Sequence, residues 1–431
     1  MMELFPDTAK MTELDQLEIG GVNVVDLCQK FGTPLYLYDG TTIVDQIKIL
    51  TGALKDLYPA PSEITYAAKA YFSLRFAEKL CRTGIGVDVV SYSEMEIARK
   101  AGFLPVKIHV HGNNKSEKEI LAAIKLGVQA IVIDSLDELN VVEYLANQEG
   151  TRINVWLRIT PGVEVDTHPY RQTGHYASKF GFPANSEDAF QAVRKAQQSQ
   201  WLNLTGLHLH LGSQIFETQP YQKAVEILYN FAENAEYVPF ELSPGGGWGV
   251  PYTLSTSAVS VQAWVETVSK AIQKECQKRD WRLPRLILEP GRWIVARAGI
   301  AAYSIGSIKK AADGTVFVAV DGGMADNPRP ALYQAQYSAA IANRMSVVPD
   351  QRVSIVGKFC ESGDLLIQDV CLPSVMRGDI LVIPVAGAYQ LSMASNYNLA
   401  ERPEVLWVEH GNIEVLQQRE IPHLCGWWLG E

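Results

Sequence analysis

The sequence lacks the features that mark several large classes of protein. Its 431 residues contain no apolar run of about 18 residues, the length that a membrane-spanning helix needs. The segment Met1 to Lys10 is polar and acidic, which predicts no signal peptide. The six cysteines lie far apart, without Cys-x-x-Cys spacing. We therefore expect free thiols in a reducing cytoplasm, not a disulfide scaffold.

Positive charge is also scarce. The chain has 38 Lys and Arg against 48 Asp and Glu, a net charge of −10. This balance disfavours nucleic acid or an anionic membrane as a partner. Apolar residues make up 47% and charged residues 20%, which excludes a disordered chain.

Short apolar runs alternate with helix-like segments between about Glu63 and Glu289. Eight βα units over this length predict a (β/α)₈ barrel. The eight runs are Ile64–Ala67, Ile85–Val90, Lys107–Val110, Ala130–Ile133, Asn154–Ile159, Leu204–Leu211, Phe240–Leu242 and Arg285–Leu288.

Helix boundaries in this half have sequence signals. Three Ser-x-x-Glu capping boxes predict helix starts, and two glycines predict helix ends. The boxes are Ser93 with Glu96, Ser116 with Glu119, and Ser135 with Glu138, and the glycines are Gly102 and Gly127.

The rhythm changes after about residue 300, where apolar runs lack long helical partners. This half is predicted to be an all-β domain, with a hairpin over Val405 to Val415. Leu17 to Tyr38 reads as strand, short helix, strand. Its pattern alone is compatible with either half. The other predicted strands are Val316–Val320, Val353–Val356, Leu365–Leu372 and Asp379–Val385.

Functional groups of a barrel lie at the carboxyl ends of its strands. There the sequence has a lysine, histidines, three consecutive glycines and a Glu/Arg pair, which are Lys69, His208, His210, Gly245, Gly246, Gly247, Glu289 and Arg292. Each has an ordinary structural explanation, such as a solvated lysine, core histidines or a local ion pair. The three glycines are harder to explain by structure alone, because they cost backbone entropy without adding packing. Glycine-rich loops let N–H groups approach an anion such as phosphate.

Together these groups suit pyridoxal phosphate (PLP). Lys69 can bond to the cofactor, the glycine loop with Ser213 can hold its phosphate, and Glu289 can pair with its ring nitrogen. His210 can stack on the ring.

A metal-dependent hydrolase is the alternative from another class. The pairs His109/His111 and His208/His210 have spacing that would allow zinc ligation from strands. In that case the last strand lacks an aspartate base and the glycines have no role, so this hypothesis ranks lower.

The ordered motifs resemble those of the fold-type III PLP-dependent decarboxylases, from about Gly32 to Leu406, and most closely the branch that acts on meso-diaminopimelate. The barrel motifs that carry the resemblance are Tyr66-Ala67-Ala68-Lys69-Ala70, Asp88-Val89-Val90-Ser91, His111-Gly112-Asn113-Asn114-Lys115-Ser116, Ser178-Lys179-Phe180-Gly181, His208-x-His210-x-Gly212-Ser213-Gln214, Gly245-Gly246-Gly247 and Glu289-Pro290-Gly291-Arg292. The later motifs are Asp326 to Tyr333, Cys360-Glu361-Ser362-Gly363-Asp364, Gly387-Ala388-Tyr389 and Ser395 to Asn398.

The resemblance implies a barrel over residues 43–297 and a β domain built from residues 1–42 and 298–431. It implies a homodimer with shared active sites that decarboxylates meso-diaminopimelate at its D-centre to L-lysine. Lys69, His210 and Cys360 would be catalytic, Cys360 being the acid that reprotonates the α-carbon. The implied cofactor-binding residues are Lys69, His210, Ser213, Gly245, Gly246, Gly247, Glu289, Gly291, Arg292 and Tyr389. The implied substrate-binding residues are Arg292, Arg329, Tyr333, Tyr389 and Glu361, with Cys360 and Glu361 arriving from the partner.

Two alternatives stay within PLP chemistry. One is a decarboxylase for ornithine, lysine, arginine or another D-centre amino acid, and the other is a racemase or PLP carrier. Glu289 and the β domain oppose the second. The sequence departs from the family pattern at Tyr92-Ser93, where Gly-Gly is usual, at Lys358, where proline is usual, and at Leu399-Ala400-Glu401.

Overall fold

A computed structural model describes residues 2–163 and 178–430 of the chain. The chain divides into two compact units. The first, here called the barrel unit, comprises Ile47–Gly249 and Ala258–Gly291. The second, the β unit, comprises Met1–Gln46, Val250–Ser257 and Arg292–Glu431.

The barrel unit is a closed barrel of eight parallel strands. Each strand pairs with the next one along the chain, and the eighth pairs with the first. A short strand, Phe182–Pro183, adds to the edge of the fifth. The eight barrel strands are Ser62–Ala67, Gly86–Val89, Ile108–Val110, Ala130–Ile133, Ile153–Thr160, Leu202–His208, Glu241–Ser243 and Arg285–Leu288.

These strands confirm the predicted barrel. The strands Ala130–Ile133 and Arg285–Leu288 agree with the prediction to the residue. Most of the eight strands are buried on both faces, which is why they read as continuous apolar runs in the sequence.

Helices connect consecutive strands, as the right-handed βα repeat requires. They are Leu74–Cys81, Tyr92–Lys100, Glu117–Leu126, Leu136–Gln148, Glu187–Gln198, Gln219–Asn234 and Val261–Arg279, with Gly40–Leu57 before the first strand. Ser116 and Glu119 form the predicted capping box, and Gly127 ends that helix in the left-handed conformation. Ser135 also caps its helix by accepting from the Glu138 N–H.

The capping box predicted at Ser93 and Glu96 is wrong. The cap is Ser91, whose hydroxyl accepts a hydrogen bond from the Glu94 N–H at 3.2 Å. The Glu94 carboxylate accepts from the Val90 N–H at 2.7 Å. Two overlapping Ser-x-x-Glu patterns occur here, and the earlier one follows the strand directly. Glu96 instead pairs with Arg99 one turn later.

The β unit is built on a sheet that the N-terminal segment completes. Leu35–Asp39 lies between the antiparallel strand Gly299–Lys310 and the parallel strand Glu404–Glu409. The other strands are Lys10–Met11, Leu17–Ile19, Val22–Asn23, Val316–Val320, Ala340–Ile341, Gln351–Val356, Leu365–Leu372, Ile380–Ile383 and Asn412–Gln417. Its helices are Val24–Phe31, Arg292–Val295, Arg329–Tyr333 and Gly426–Leu429.

The predicted all-β half is confirmed, including its hairpin. Glu404–Glu409 pairs with Asn412–Gln417 through His410 and Gly411, which both have positive φ. The core of this sheet is apolar and joins both ends of the chain, with Phe5, Leu35, Leu37, Ile300, Val382 and Leu406 among its buried members.

The six cysteines are unpaired. Within the part of the chain that the structure describes, no helix combines the length and the apolar character that a membrane crossing requires.

Candidate active site

Lys69 follows the first barrel strand directly, in a short 3₁₀ turn over Ala68–Ala70. Its side chain is exposed, whereas both neighbouring alanines are buried. The positive charge of Lys69 also contributes, after burial, to lowering the pKa of His210 well below its ordinary value. Lys69 and His210 therefore influence each other electrostatically at the strand ends, and the imidazole is neutral. A neutral imidazole suits stacking on a cofactor ring.

Glu289 directly follows the eighth barrel strand and is buried. Its carboxylate accepts a hydrogen bond from the Ser243 hydroxyl at 2.5 Å and lies 3.0 Å from His208 Nε2. Burial alone would raise the pKa of Glu289, but His208 and His111 together with these hydrogen bonds lower it instead. Glu289 is thus an ionised carboxylate inside the barrel, which fits pairing with a protonated ring nitrogen.

A second buried carboxyl, Asp88, lies close to the same group of histidines. Its Oδ1 atom is 3.7 Å from His111 Nε2. Burial, and then the charge of Glu289, raise the pKa of Asp88 well above its ordinary value. The shifts of the two carboxyls have opposite signs, so the negative charge of this cluster resides on Glu289.

The three consecutive glycines are required by the barrel itself. A Cβ atom at Gly246 would overlap the carbonyl oxygen of Glu289, and one at Gly247 would overlap that of Gly212. Gly245 and Gly247 also have positive φ, where other residues are strained. The resulting loop has a backbone uncovered by Cβ atoms, a shape that suits a phosphate.

Ser213 and Gly291 follow the sixth and the eighth barrel strands. Ser213 is half-buried. A Cβ atom at Gly291 would come within 3.1 Å of the side chain of Ala67, so the glycine allows close packing on the first strand. Together with the glycine loop, Lys69 and Glu289, these residues fit PLP: an amine, a cradle for phosphate and an ionised carboxylate.

The structure does not assemble the zinc ligands that the two His-x-His pairs would provide. Within the described residues, the one grouping with metal-ligand spacing is His111, His208 and Glu289, whose ligand atoms lie within 4.8 Å of one another. His109 and His210 are not part of it. His208 Nε2 is already engaged with Glu289, so the cluster is explained as support for that carboxylate.

The β unit brings two predicted substrate-binding arginines to one phenol. Arg292 donates from Nη1 to the Tyr252 hydroxyl at 2.5 Å. The guanidinium of Arg329 lies 4.6 Å from the centre of the Tyr252 ring, and Arg329 is only 2% exposed. Burial would raise the pKa of Tyr252, but these two arginines outweigh it and lower the pKa. The pair forms a buried centre of positive charge.

Aromatic rings surround this arginine pair. Arg329 donates from Nη1 to the Tyr337 hydroxyl, and Arg292 lies 4.6 Å from the centre of the Tyr389 ring. Tyr333 ends the helix Arg329–Tyr333 and is half-buried.

Cys360 and Glu361 lie on an exposed loop of the β unit. The Cys360 N–H donates to Asn398 Oδ1 at 3.3 Å. The Glu361 carboxylate accepts from the Gly363 N–H at 3.3 Å, a bond within the loop. Both side chains face solvent in the single chain.

Tyr252 and Tyr337, which hold the arginine pair, were not predicted from the sequence. Neither belongs to a motif that the resemblance covers, and Tyr252 comes from a short segment between two barrel elements. The buried ion pair of Lys115 with Glu138, at 2.5 Å, was not predicted either. The lysine within the run His111 to Ser116 was a signal that could have pointed to this pair. Nothing in the sequence identifies its buried partner.

Comparisons with known proteins agree with this arrangement. Residues 44–296 match the family described as pyridoxal-dependent decarboxylase, pyridoxal binding domain. The diaminopimelate decarboxylase of Bacillus subtilis is 40% identical, over 96% of this chain and 95% of the relative. That of Synechocystis is 40% identical, over 97% of this chain and 91% of the relative.

Solved structures agree as well. The crystal structure of diaminopimelate decarboxylase from M. jannaschii has a TM-score of 0.90 and 32% identity, covering 96% of both chains. The Helicobacter pylori enzyme, complexed with L-lysine, has a TM-score of 0.84 and 32% identity, covering 92% of this chain and 96% of that one.

Proposed function

The chain belongs to the pyridoxal-dependent decarboxylases, and from this premise we propose that it removes one carboxylate of meso-diaminopimelate as carbon dioxide and yields L-lysine. This is the last step of lysine synthesis. Its relatives over nearly the full length act as diaminopimelate decarboxylases. The observation that carries the substrate choice is the buried pair Arg292 and Arg329 around Tyr252.

The arginine pair matches the distal end of this substrate. At physiological pH that end has a carboxylate and an ammonium group. Two guanidiniums, one of them 2% exposed, provide charge-assisted hydrogen bonds to a carboxylate. Tyr333 would add a hydroxyl, and Glu361 would take the ammonium. Ornithine, lysine and arginine lack the distal carboxylate, so they would leave this buried charge unmatched.

The cofactor site of this proposal is in the barrel unit. Lys69 would hold PLP through its ε-amino nitrogen. When bound, PLP would supply an electron-withdrawing ring, the chemistry that loss of an α-carboxylate requires. Glu289, kept ionised by His208 and Ser243, would pair with the ring nitrogen and favour its protonated form.

Further residues orient the cofactor and complete the reaction. Neutral His210 would stack on the ring, and Ser213, the backbone of Gly245 to Gly247, Gly291, Arg292 and Tyr389 would bind the cofactor. The Cys360 thiol would supply the proton that replaces the carboxylate at the α-carbon.

The assembly proposed for this enzyme is a homodimer in which Cys360 and Glu361 serve the partner's active site. Their exposure in the single chain supports this, because a proton donor and a charge-pairing group would otherwise face water. We also propose a cytoplasmic location, supported by the six unpaired cysteines.

One substrate panel tests the function. Carbon dioxide release is measured with meso-, LL- and DD-diaminopimelate, lysine, ornithine and arginine under identical conditions. The proposal predicts turnover with the meso isomer far above the others. Turnover of another substrate with inert meso-diaminopimelate would establish the alternative, a decarboxylase of a basic or D-centre amino acid.

A further inference from the structure

Asp364 of the β unit joins two loops through one buried carboxylate. Its Oδ1 atom accepts a hydrogen bond from the Met324 N–H at 2.6 Å, and its Oδ2 atom accepts from the Phe359 N–H at 2.9 Å. Asp364 itself is only 4% exposed. Met324 and Phe359 are far apart in sequence, so the carboxylate is a bridge between separate segments.

The backbone around this carboxylate is shaped to receive it. A Cβ atom at Gly323 or at Gly357 would collide with the Asp364 carboxylate. Two backbone bonds close the same arrangement: the Gly357 N–H donates to the Asp364 carbonyl at 3.0 Å, and the Lys358 N–H donates to the Gly322 carbonyl at 3.1 Å. The space occupied by Asp364 therefore exists only because two glycines line it.

One of the bridged loops leads to Arg329. Asp326 holds this loop from its other side, because its Oδ1 atom accepts from the Gly323 N–H at 2.9 Å and its Oδ2 atom accepts from the hydroxyls of Tyr36 and Tyr303. The Arg329 guanidinium lies three residues beyond this anchor.

The other bridged loop bears Cys360 and Glu361, directly after Phe359. These two side chains are exposed, and the loop has no buried side chain between Phe359 and Asp364. Its position relative to the Arg329 loop depends on the two hydrogen bonds to Asp364 and on the two backbone bonds described above.

Building on the proposed function, we infer that Asp364 is a positioning residue that fixes the Arg329 loop and the Cys360 loop relative to each other. In the proposed dimer, Arg329 binds substrate in the active site of its own chain and Cys360 acts in that of the partner. The carboxylate of one chain therefore supports both active sites. Damage at Asp364 impairs substrate binding in both of them.

The first test is Asp364→Asn, measured on the holoenzyme. An asparagine has one acceptor oxygen, and its NH₂ group faces one of the two N–H donors, so one loop is released. We expect the KM for meso-diaminopimelate to rise about tenfold or more, as loss of a hydrogen bond to a charged group predicts, with the PLP absorbance unchanged. The matched control is Asp369→Asn, whose exposed carboxylate pairs with Arg352 at 2.8 Å, and it leaves KM unchanged. An unchanged KM in the Asp364 variant overturns the inference.

The second test uses mixed dimers. Lys69→Ala mixed with Cys360→Ala regains about a quarter of parent activity, since random pairing gives hybrids with one complete site. Lys69→Ala mixed with Asp364→Asn recovers clearly less than the cysteine mixture, because the remaining Lys69 site receives an intact Cys360 loop but keeps a displaced Arg329 loop. Recovery equal to that of the cysteine mixture would show that Asp364 serves only the Cys360 loop, and would overturn the inference.

Other failures are distinguishable from this one. No recovery in the Lys69/Cys360 mixture overturns the shared dimer and the link between two sites with it. Inert meso-diaminopimelate in the parent enzyme overturns the proposed function. If Asp364→Asn does not fold, hydrogen exchange of the parent holoenzyme decides: the amides of Met324 and Phe359 exchange slowly and together, and fast exchange of either contradicts the bridge.

Discussion

The barrel unit and the β unit hold their functional groups in different ways. In the barrel, Lys69, His210 and Glu289 lie at or just after the ends of parallel strands, and side chains such as Ser243 and His208 fix the charge of Glu289. In the β unit, Arg329, Cys360 and Glu361 lie on loops or at the start of a short helix. There, buried carboxylates bind backbone N–H groups.

This difference indicates a division of labour. A strand end fixes a position through the whole ladder of the sheet, which suits the reacting groups of the cofactor site. A loop fixed by a few hydrogen bonds can differ between relatives without disturbing the sheet, which suits groups that select a substrate. We therefore expect variants at the barrel strand ends to lower the rate and variants of the arginine pair in the β unit to change substrate preference. Cys360, the proposed proton donor, is the exception in the β unit, because its loss lowers the rate.

Lys69→Ala is the variant with the largest expected effect. Without the amine the cofactor has no covalent attachment, so the PLP absorbance of the purified protein is lost and turnover falls by at least about 10⁴-fold. The measurements are the absorbance spectrum and carbon dioxide release. Normal activity would contradict the role of the barrel in the chemistry.

Glu289→Gln is expected to lower kcat by about 10²–10³-fold, because a neutral amide cannot stabilise a proton on the ring nitrogen. KM for meso-diaminopimelate stays within about twofold, since this carboxyl lies in the barrel and the arginine pair is intact. Steady-state kinetics provide both values. A rise in KM with an unchanged kcat would contradict the division between the two units.

Arg329→Met is expected to lower kcat/KM for meso-diaminopimelate by roughly 10–100-fold through loss of a charge-assisted hydrogen bond. The absorbance of bound PLP is retained. Arg352→Met is the matched control, because Arg352 is 71% exposed and pairs only with Asp369 in the structure's described contacts. Equal losses in the two variants would remove the argument for an arginine pair in the site.

Two buried groups, one in each unit, respond to acid with opposite sign. Burial lowers the pKa of His109 in the barrel to about 3, whereas burial raises the pKa of Asp326 in the β unit to about 6. As the pH falls below about 6.5, the unfolded state binds a proton at His109 that the folded state does not, so stability is lost. As the pH falls below about 6, the folded state binds a proton at Asp326 that the unfolded state does not, so stability is gained.

Urea unfolding at several pH values measures this contrast. Between about pH 6.5 and pH 5 the parent loses up to about 2 kcal/mol of unfolding free energy through His109, and His109→Phe removes this loss. Between about pH 6 and pH 4 it gains up to about 3 kcal/mol through Asp326, and Asp326→Asn removes this gain. The phenylalanine retains a ring against Trp156, which lies 4.5 Å from the His109 ring centre. Relative to the parent, changes of slope with the same sign in both variants would contradict this prediction.

The same contrast explains what the sequence could predict. The barrel strands follow an apolar rhythm set by burial on both faces, so Ala130–Ile133 and Arg285–Leu288 were found to the residue. The strand Gly299–Lys310 was not predicted, because its first half is buried and its second half exposed, which gives no single period.

The residues of the site differ in the same way in how far the sequence predicts them. Lys69, the glycine loop and Glu289 could be predicted because they follow strand ends, which are a local signal. Tyr252 and Asp364 act through contacts with residues distant in sequence, and no local pattern reports such contacts. The error at Ser93 has a similar cause, because two overlapping patterns differ only in which serine follows the strand.

One ratio tests the division of labour most directly. It is kcat/KM for meso-diaminopimelate divided by kcat/KM for D-lysine, which keeps the distal ammonium but lacks the distal carboxylate. It is measured in the parent enzyme, in Glu289→Gln and in Arg329→Met. The account predicts that Glu289→Gln lowers both values and leaves the ratio unchanged, while Arg329→Met lowers the ratio by about tenfold or more. An unchanged ratio in Arg329→Met, or a changed one in Glu289→Gln, would contradict it.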